Sequence, residues 1–336
     1  MRIMVRMLAK VWGALPLLVL LAPGIAYAQE HSRCQQIPFV SPKEDQPTVT
    51  ADRVEGQLVA AVPEMNGQLA NASNTCMALF ELPSGRRIAS GSTDSSGAFL
   101  FGDRNSGSYV IVVSGSRSPW HLPIRLRLSG AASGSAPARG LLLKLVVRND
   151  RRIAIVANPI ANLTLRHELL GMLKVDQAIR KKAIERGITS VSTEIKAQMT
   201  KIDSANDARL RGIVAQYGWP GEALVGFDGA SAALTIVQHL SSQTQKQLLP
   251  GVEAAYRAGQ IRGGGYANLL DHVRLDEGRP QVYGTVAKPF RKGRPIEFFP
   301  IEDPANVDVR RKAVGLPPLA AYRQLLRQMY FPTKRE

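Results

Sequence analysis

The sequence predicts a two-domain protein in which an all-β sandwich precedes a mainly α-helical domain with one small β-hairpin. Between residues 53 and 148, short apolar runs alternate with turn signals roughly every 8–12 residues, which is typical of strands. From residue 160 to residue 332, apolar residues instead recur with the helical period. A chain of 336 residues with 45% hydrophobic residues is long enough for two domains with cores of their own.

Residues 1–28 have the pattern of a secretory signal peptide. A basic start with Arg2 and Arg6 precedes an apolar run, and Ala26-Tyr27-Ala28 supplies the small residues of a cleavage site. The apolar run is too short to anchor the chain in a bilayer. We therefore expect cleavage near Ala28, no transmembrane segment in the mature chain, and a periplasmic or secreted location.

The segment after the signal peptide, residues 29–52, is polar and proline-rich, and we interpret it as a linker or tail. The chain has two cysteines, Cys34 and Cys76. In an oxidising compartment two cysteines favour one disulfide, which would fix this tail to a strand of the sandwich. Two cysteines without a nearby histidine pair do not have zinc-ligand spacing, and we predict no metal site.

Seven short segments of the front domain read as strands. They lie at residues 54–60, 76–82, 86–91, 98–101, 110–113, 124–128 and 141–147. About seven short strands without a helical pattern imply a β-sandwich. Residues 153–156 are one further candidate strand at the junction with the second domain.

Three motifs in this front domain carry a family resemblance. They are Gly56-x-Leu58-Val59, then Thr93-Asp94-Ser95-Ser96-Gly97-Ala98-Phe99, then Gly107-Ser108-Tyr109-Val110-Ile111-Val112. With them the domain resembles the carboxypeptidase regulatory-like domains, which are small transthyretin-like sandwiches. The resemblance covers about 90 residues and departs from the usual pattern at residues 63–73. It implies a non-catalytic spacer or binding module.

The second domain begins with a leucine stripe from Leu165 to Leu173, and this first helix continues through Asp176 and Arg180. A long helix is predicted over residues 193–216. The next helix, from Asp228 to His239, consists of small apolar residues, so it is expected to be central in its domain. Its first residue is expected to cap it by accepting from the backbone N–H groups two and three positions on.

The last part of the chain alternates extended and helical patterns. Residues 281–286 and 295–299 are predicted to pair as the small hairpin, and short helices are predicted over 306–314 and 319–330. The net charge is +16, but the basic residues are scattered and no basic stripe with interleaved aromatic residues is visible. We therefore predict no nucleic-acid partner.

Residues 160–332 carry a second resemblance. The motifs occur in this order along the chain: Asp176-Gln177-x-x-Arg180, Asp203-x-x-Asn206, Tyr217-Gly218-Trp219-Pro220, Val237-Gln238-His239, Gln281-x-Tyr283-Gly284-Thr285 and Pro300-Ile301-Glu302-Asp303-Pro304. They make this half similar to a widespread family of bacterial domains of unknown function. The resemblance implies a domain boundary and a candidate site, without an assigned activity. Where such sequences usually continue Gly-Thr-Gln, this chain has Val286.

The polar residues of these motifs form the candidate site. His239 is the candidate acid–base group, with Asp203 or Asp228 as its carboxylate partner, because an imidazole titrates near neutral pH and a carboxylate orients it. The candidate ligand-binding residues are Asp176, Gln177, Arg180, Asn206, Trp219, Gln238 and Tyr283.

Two function classes stay open, and the sequence does not decide whether the protein is an enzyme. The favoured hypothesis is a binding protein whose helical domain holds an unknown ligand or an envelope protein. The alternative is an extracytoplasmic hydrolase or lyase that uses His239 with an aspartate. A third interpretation is structural, since buried polar groups usually satisfy one another. The sequence has no nucleophile elbow, zinc-protease motif or dinucleotide fingerprint, and we predict no cofactor.

Overall fold

A computed structural model describes residues 34–62, 68–102, 104–115, 120–129, 136–147, 153–185, 191–289 and 293–331. The predicted signal peptide and its cleavage site near Ala28 lie outside these described residues. The predicted fold class is confirmed: residues 48–160 are rich in strands, and residues 163–330 are helical. No helix in the described part is both long and apolar enough to cross a membrane.

Ten strands occur in the described part of the front half. They are β1 (Thr48–Ala51), β2 (Glu55–Val62), β3 (Gln68–Asn71), β4 (Cys76–Glu81), β5 (Arg86–Ser92), β6 (Ala98–Leu100), β7 (Gly107–Ser114), β8 (His121–Leu128), β9 (Gly140–Val147) and β10 (Ile153–Ile160). The seven predicted strands are all present. The candidate strand at the junction is also present, as β10, and the two unpredicted strands are β1, in the predicted linker, and β3, in the stretch that departs from the family pattern.

The strands form two sheets that face each other. One sheet has the order β1-β8-β7-β4-β5, and the other has the order β10-β9-β2-β3 with β6 paired to β2. Along β8, Ile124, Leu126 and Leu128 are buried while Arg127 is exposed, which is the two-residue alternation of a strand with one face in a core. The core between the sheets therefore forms from alternate positions of the strands, as in a sandwich.

The start of the described chain is fixed to the outer face of the first sheet. Cys34 is fully buried and forms the predicted disulfide with Cys76. Ile37 packs among apolar side chains on that outer face, and the guanidinium of Arg87 donates to the carbonyl oxygens of Gln35 and Ile37. Part of the predicted linker is thus an ordered cover over the sheet.

Removing the disulfide is expected to destabilise the sandwich. The bond closes a loop with a sequence separation of 42, and the loss of such a cross-link typically costs about 2–4 kcal/mol because the unfolded chain gains freedom. We expect the Cys34→Ala/Cys76→Ala variant to have a free energy of unfolding lower by that amount, as measured by denaturant titration. A variant as stable as the oxidised wild-type chain would contradict this expectation, and reduced wild-type protein is the control.

Seven α-helices occur in the described part of the second half. They are α1 (Leu163–Glu185), α2 (Thr193–Tyr217), α3 (Glu222–Val237), α4 (Ser242–Arg257), α5 (Gly263–Asp276), α6 (Val307–Ala313) and α7 (Leu319–Tyr330). The predicted hairpin is reduced to isolated bridges, including an antiparallel one between Ala287 and Phe298. Strands do not form there because the side chains of Asp271 and Gln281 accept the backbone N–H groups of residues 282, 283, 285 and 286.

Helix α3 is central, as its small apolar residues predict. It packs against α1, α2, α5 and the sandwich, and most of its side chains are buried. A short helical turn from Glu222 precedes the predicted helix, and a break at Gly226, where φ is 73°, separates the two, so that the predicted start at Asp228 lies within two residues of the break. A Cβ atom at Gly226 would lie 2.9 Å from the Ile160 side chain, so a glycine fits the close approach of β10.

The expected cap of the helix by Asp228 is absent. Its Oδ1 atom accepts from the backbone N–H of Gly229 at 2.8 Å, while both carboxylate oxygens accept from Arg166. The aspartate therefore bonds the helix to α1 rather than closing the helix end by itself.

The two halves share a closed interface. Val59, Leu142, Ile160, Leu163 and Phe227 form one buried apolar cluster across it. Ion pairs also cross the interface, among them Lys144 with Glu222 at 2.6 Å and Arg166 with Glu55 at 3.2 Å. The sandwich and the helical bundle thus pack as neighbours with a common core.

Candidate functional site

His239 lies in the turn that follows α3, and the turn is held by the chain around it. The His239 backbone N–H donates to the Ile236 carbonyl at 2.9 Å. The side-chain amide of Gln245 donates to the carbonyl oxygens of Gln238 and Leu240, at 3.0 and 3.1 Å. The imidazole is 1% exposed. Its position is therefore fixed by backbone bonds on both sides of the residue.

The imidazole is bonded to a carboxylate on α1. The His239 Nδ1 atom lies 3.0 Å from Asp176 Oδ1 and 2.9 Å from Asp176 Oδ2. Asp176 is fully buried and also accepts a bond of 2.9 Å from the Gln177 amide. A carboxylate accepts, so in the neutral imidazole Nδ1 carries the hydrogen and Nε2 carries the lone pair.

An arginine extends this pair to a third helix. Arg180 stands one turn after Asp176 on α1, and its Nη1 atom lies 2.7 Å from Asp176 Oδ1. Its Nη2 atom donates to Asp203 Oδ1 on α2 at 2.6 Å. Arg180 is 4% exposed. His239, Asp176, Arg180 and Asp203 thus form one polar chain, which we call the His239 network, across α1, α2 and the end of α3.

Burial controls the charge of the two imidazoles in this region. Burial lowers the pKa of His239, the bond to Asp176 opposes that shift, and the nearby Arg180 charge adds to it. Burial and, as the smaller cause, the proximity of His239 together lower the pKa of His272 on α5 to about 4. Both imidazoles are therefore neutral at pH 7 in the folded chain.

Several buried polar atoms of this domain have no protein partner within the described residues. They include His239 Nε2, His272 Nε2, Asn206 Nδ2, Trp219 Nε1, Asn268 Oδ1 and Arg180 Nε. Asn206 stands one turn after Asp203 on α2, and Asn268 one turn before His272 on α5. Since buried polar groups are nearly always hydrogen-bonded, such atoms mark places for water or a ligand. The set contains both donors and acceptors.

The structure brings together five of the residues predicted for the site: Asp176, Gln177, Arg180, Asp203 and His239. It does not bring Asp228 to His239. Asp228 binds Arg166 at the other end of α3, roughly 15 Å away at 1.5 Å per helical residue. The catalytic roles of His239, Asp203 and Asp228 remain predictions.

The other predicted ligand-binding residues are not members of this network. Asn206 and Trp219 are buried and contribute atoms to the unpartnered set. Gln238 is buried, and its carbonyl holds the turn. Tyr283 belongs to a separate aromatic group, with its ring edge-on to Tyr266 at 6.5 Å between centroids.

Sequence reasoning did not select Asp271, which holds the loop after α5. Asp271 is fully buried and accepts backbone bonds from Val282, Tyr283 and Thr285, at 2.7 to 3.0 Å. A carboxylate between apolar residues on a helix was the available signal. Within the described residues, no group of three or more histidine, cysteine, aspartate or glutamate side chains has the arrangement of a metal site.

The neutral histidines lead to a pH prediction. In the unfolded chain each imidazole takes up a proton near pH 6.5, whereas in the fold the pKa is lower. The unfolded state therefore binds more protons below pH 6.5, and stability that is present above that pH is lost as the pH falls toward 4. We expect the His272→Gln variant to gain stability relative to the wild-type chain over this window, as measured by denaturant titration. A stability difference that is independent of pH would contradict this.

Comparison with known proteins adds one finding. A family model described as a family of unknown function (DUF6624) matches residues 163–333. No curated protein and no solved structure matches the chain. The matched range begins at α1 and contains every residue of the His239 network.

Proposed function

The chain belongs to the family of unknown function (DUF6624) through residues 163–333, and from that premise we propose that its helical domain binds a small polar ligand at His239. The observation that carries the proposal is the Nε2 atom of His239. It is buried and has no partner within the described residues, whereas Nδ1 is fixed by Asp176. A neutral imidazole in that state offers a hydrogen-bond acceptor to a ligand donor.

The surroundings indicate the class of ligand. Arg180 is bonded to two carboxylates of the network, so its charge is compensated within the domain. The unpartnered atoms include donors, at Asn206 and Trp219, and acceptors, at His239 and Asn268. A neutral molecule with both donor and acceptor groups fits these requirements better than an ion, since an ion would need an uncompensated buried charge opposite it.

The sandwich is proposed as an accessory domain of an exported protein. Its two facing sheets agree with the resemblance to the carboxypeptidase regulatory-like domains, and the disulfide agrees with an oxidising compartment. Sequencing the amino terminus of the protein secreted by its native host tests the export. We expect it to begin at Gln29. A chain that keeps residues 1–28 and stays in the cytoplasm would contradict it.

The ligand proposal is tested by thermal shift on the full chain against neutral amides, polyols and nucleobases. A ligand at 100 times its Kd stabilises the fold by about 2.7 kcal/mol. The informative variant is His239→Asn, because the asparagine amide preserves a donor toward Asp176 and removes the Nε2 acceptor. A compound that stabilises the wild-type chain but not this variant supports the proposal, and equal stabilisation of both contradicts it.

The second candidate function is acid–base catalysis by His239 in a hydrolase or lyase. The specific observation in its favour is the carboxylate on Nδ1, which orients an imidazole so that Nε2 can accept a proton. Catalysis requires that the substrate reach an imidazole that is 1% exposed. If this function holds, His239→Asn lowers turnover by about 10²–10⁴-fold, the usual contribution of a general base. Turnover that is unchanged in this variant would reject it.

A further inference from the structure

A cavity lies at the open edge of the sandwich, apart from the His239 network. It has a volume of about 390 Å³ and is partly open to solvent. Ser90, Gly91 and Ser92 of β5 line it from one sheet, the segment 98–101 lines it from the other, and Arg166 of α1 closes one end. We call this cavity the edge cleft. It is lined by none of the residues of the His239 network.

The apolar wall of the edge cleft is exposed at its mouth. Leu100 is 63% exposed, and the Phe101 ring lies 6.4 Å from the Phe99 ring between centroids. Gly91 faces this wall, because a Cβ atom built on it would have a Phe101 ring carbon at 3.9 Å as its nearest neighbour. The absence of a side chain at Gly91 therefore leaves a shallow slot, about one methyl group wide, beside the Phe101 ring.

The charged side chains that line the edge cleft are the carboxylates of Glu55 and Asp94 and the guanidinium of Arg166. The Arg166 guanidinium is 3% exposed and binds two carboxylates, Asp228 at 2.9 and 2.7 Å and Glu55 at 3.2 Å. Glu55 also meets Arg53 at 3.4 Å and contacts the His167 ring. Arg166 and Arg53 are therefore already paired with the carboxylates of Asp228 and Glu55.

Asp94 is the carboxylate that remains for a ligand. Oδ1 accepts the backbone N–H groups of Ser96 and Ala98, at 2.8 and 2.9 Å, and the Ser96 hydroxyl at 2.6 Å. The bonds that fix the turn thus converge on one oxygen. Among the described residues all hydrogen bonds to this carboxylate fall on Oδ1, which leaves Oδ2 to accept from a molecule in the cleft that Asp94 lines together with Ser90 and Ser92.

We propose that the edge cleft binds a small molecule that carries a protonated amine on an apolar stem. The amine donates to Asp94, and the stem packs against the Leu100 and Phe101 side chains over the slot at Gly91. A cation near an aromatic face gains further from the ring quadrupole. A volume of about 390 Å³ is in the range of small-molecule sites, which combine an apolar wall with a few placed polar groups.

Ligand-observed saturation-transfer NMR on the full chain tests this with three probes of one shape: benzylamine, benzyl alcohol and benzoate. We expect benzylamine to bind saturably with a Kd on the order of millimolar, and the neutral and anionic probes to bind at least about tenfold more weakly, since a lost ionic hydrogen bond costs that much or more. Equal binding of the three probes would overturn the proposal.

Three variants locate the binding. Asp94→Asn keeps the Oδ1 acceptor of the turn and removes the charge, so we expect benzylamine affinity to fall at least about tenfold. Gly91→Leu fills the slot and is expected to abolish binding. Glu81→Gln removes a carboxylate from the same sheet outside the cleft, and it is expected to bind as the wild-type chain does.

Each outcome of the variant series decides the proposal. Unchanged affinity in Asp94→Asn, or in Gly91→Leu, places benzylamine elsewhere and overturns it. An equal loss in Glu81→Gln shows a general charge effect and overturns it as well. If Asp94→Asn fails to fold, as judged by its melting curve, the comparison of Gly91→Leu with Glu81→Gln carries the decision.

Discussion

Replacing Asp176 with alanine is expected to lower the free energy of unfolding by about 3–5 kcal/mol, the usual result when one partner of a buried ion pair is removed. Asp176 is fully buried and binds both the Arg180 guanidinium and the His239 imidazole. Without it, Arg180 keeps its charge in a buried place with one carboxylate fewer. His239 Nδ1 also loses its acceptor. Urea denaturation followed by circular dichroism measures the change.

The chain contains a matched control for this variant. Glu168 and Arg209 join the same two helices, α1 and α2, with Glu168 Oε2 accepting from Arg209 Nη2 at 2.8 Å. Their side chains are 35% and 45% exposed. Exposed pairs contribute about 0–1 kcal/mol, so Glu168→Ala is expected to cost no more than that. If Asp176→Ala cost as little as Glu168→Ala, the His239 network would not be a stabilising element of the bundle.

The second large effect is expected at Arg166, which lies between the two halves. It is 3% exposed and binds Asp228 through two bonds and Glu55 through one. Arg166→Ala leaves Asp228 buried without its cation and leaves Glu55 with Arg53 and His167 as its remaining partners, which is expected to cost about 3–5 kcal/mol. Because one carboxylate belongs to the sandwich and the other to the helical domain, we also expect the single unfolding transition to separate into two.

Arg53→Ala is the control for Arg166→Ala. Arg53 meets the same glutamate, Glu55, at 3.4 Å, but its side chain is 34% exposed. Its removal is expected to cost about 0–1 kcal/mol and to keep one transition. Equal effects of the two variants, or an unchanged transition in Arg166→Ala, would show that the halves are held together by their apolar cluster alone.

Local patterns predicted the elements of this fold well and their tertiary partners poorly. The helix predicted over residues 193–216 is α2, Thr193–Tyr217, because its ends are marked by Ser192 and Gly218. The helix predicted from Asp228 follows a break at Gly226, and local patterns missed the helical turn from Glu222 that precedes this break. Gly226 lies against Ile160 of β10, and no local pattern records that contact.

The candidate site shows the same limit. Asp176 and Arg180 stand one turn apart, so their pairing follows from helical spacing, and the structure places His239 beside them. Asp228 was selected as a partner of His239 because it lies in a neighbouring motif of the family resemblance, Gly226-x-Asp228-Gly229-Ala230. Its actual partner, Arg166, lies outside every motif, and only the folded arrangement of α1, α3 and the sandwich reveals the pair.

The junction between β10 and α1 determines whether the helical domain can be separated from the sandwich. Ala161 and Asn162 donate their backbone N–H groups to the carbonyl oxygens of Ala223 and Leu224, at 3.0 and 2.8 Å, and the Asn162 side chain accepts from Leu165 N–H at 2.9 Å. These hydrogen bonds hold the junction against α3, so it is not a flexible linker. A fragment that started at residue 163 would expose the Leu163 and Phe227 side chains, which pack against the sandwich in the full chain, so we expect the helical domain expressed alone to be less stable than it is in the full chain.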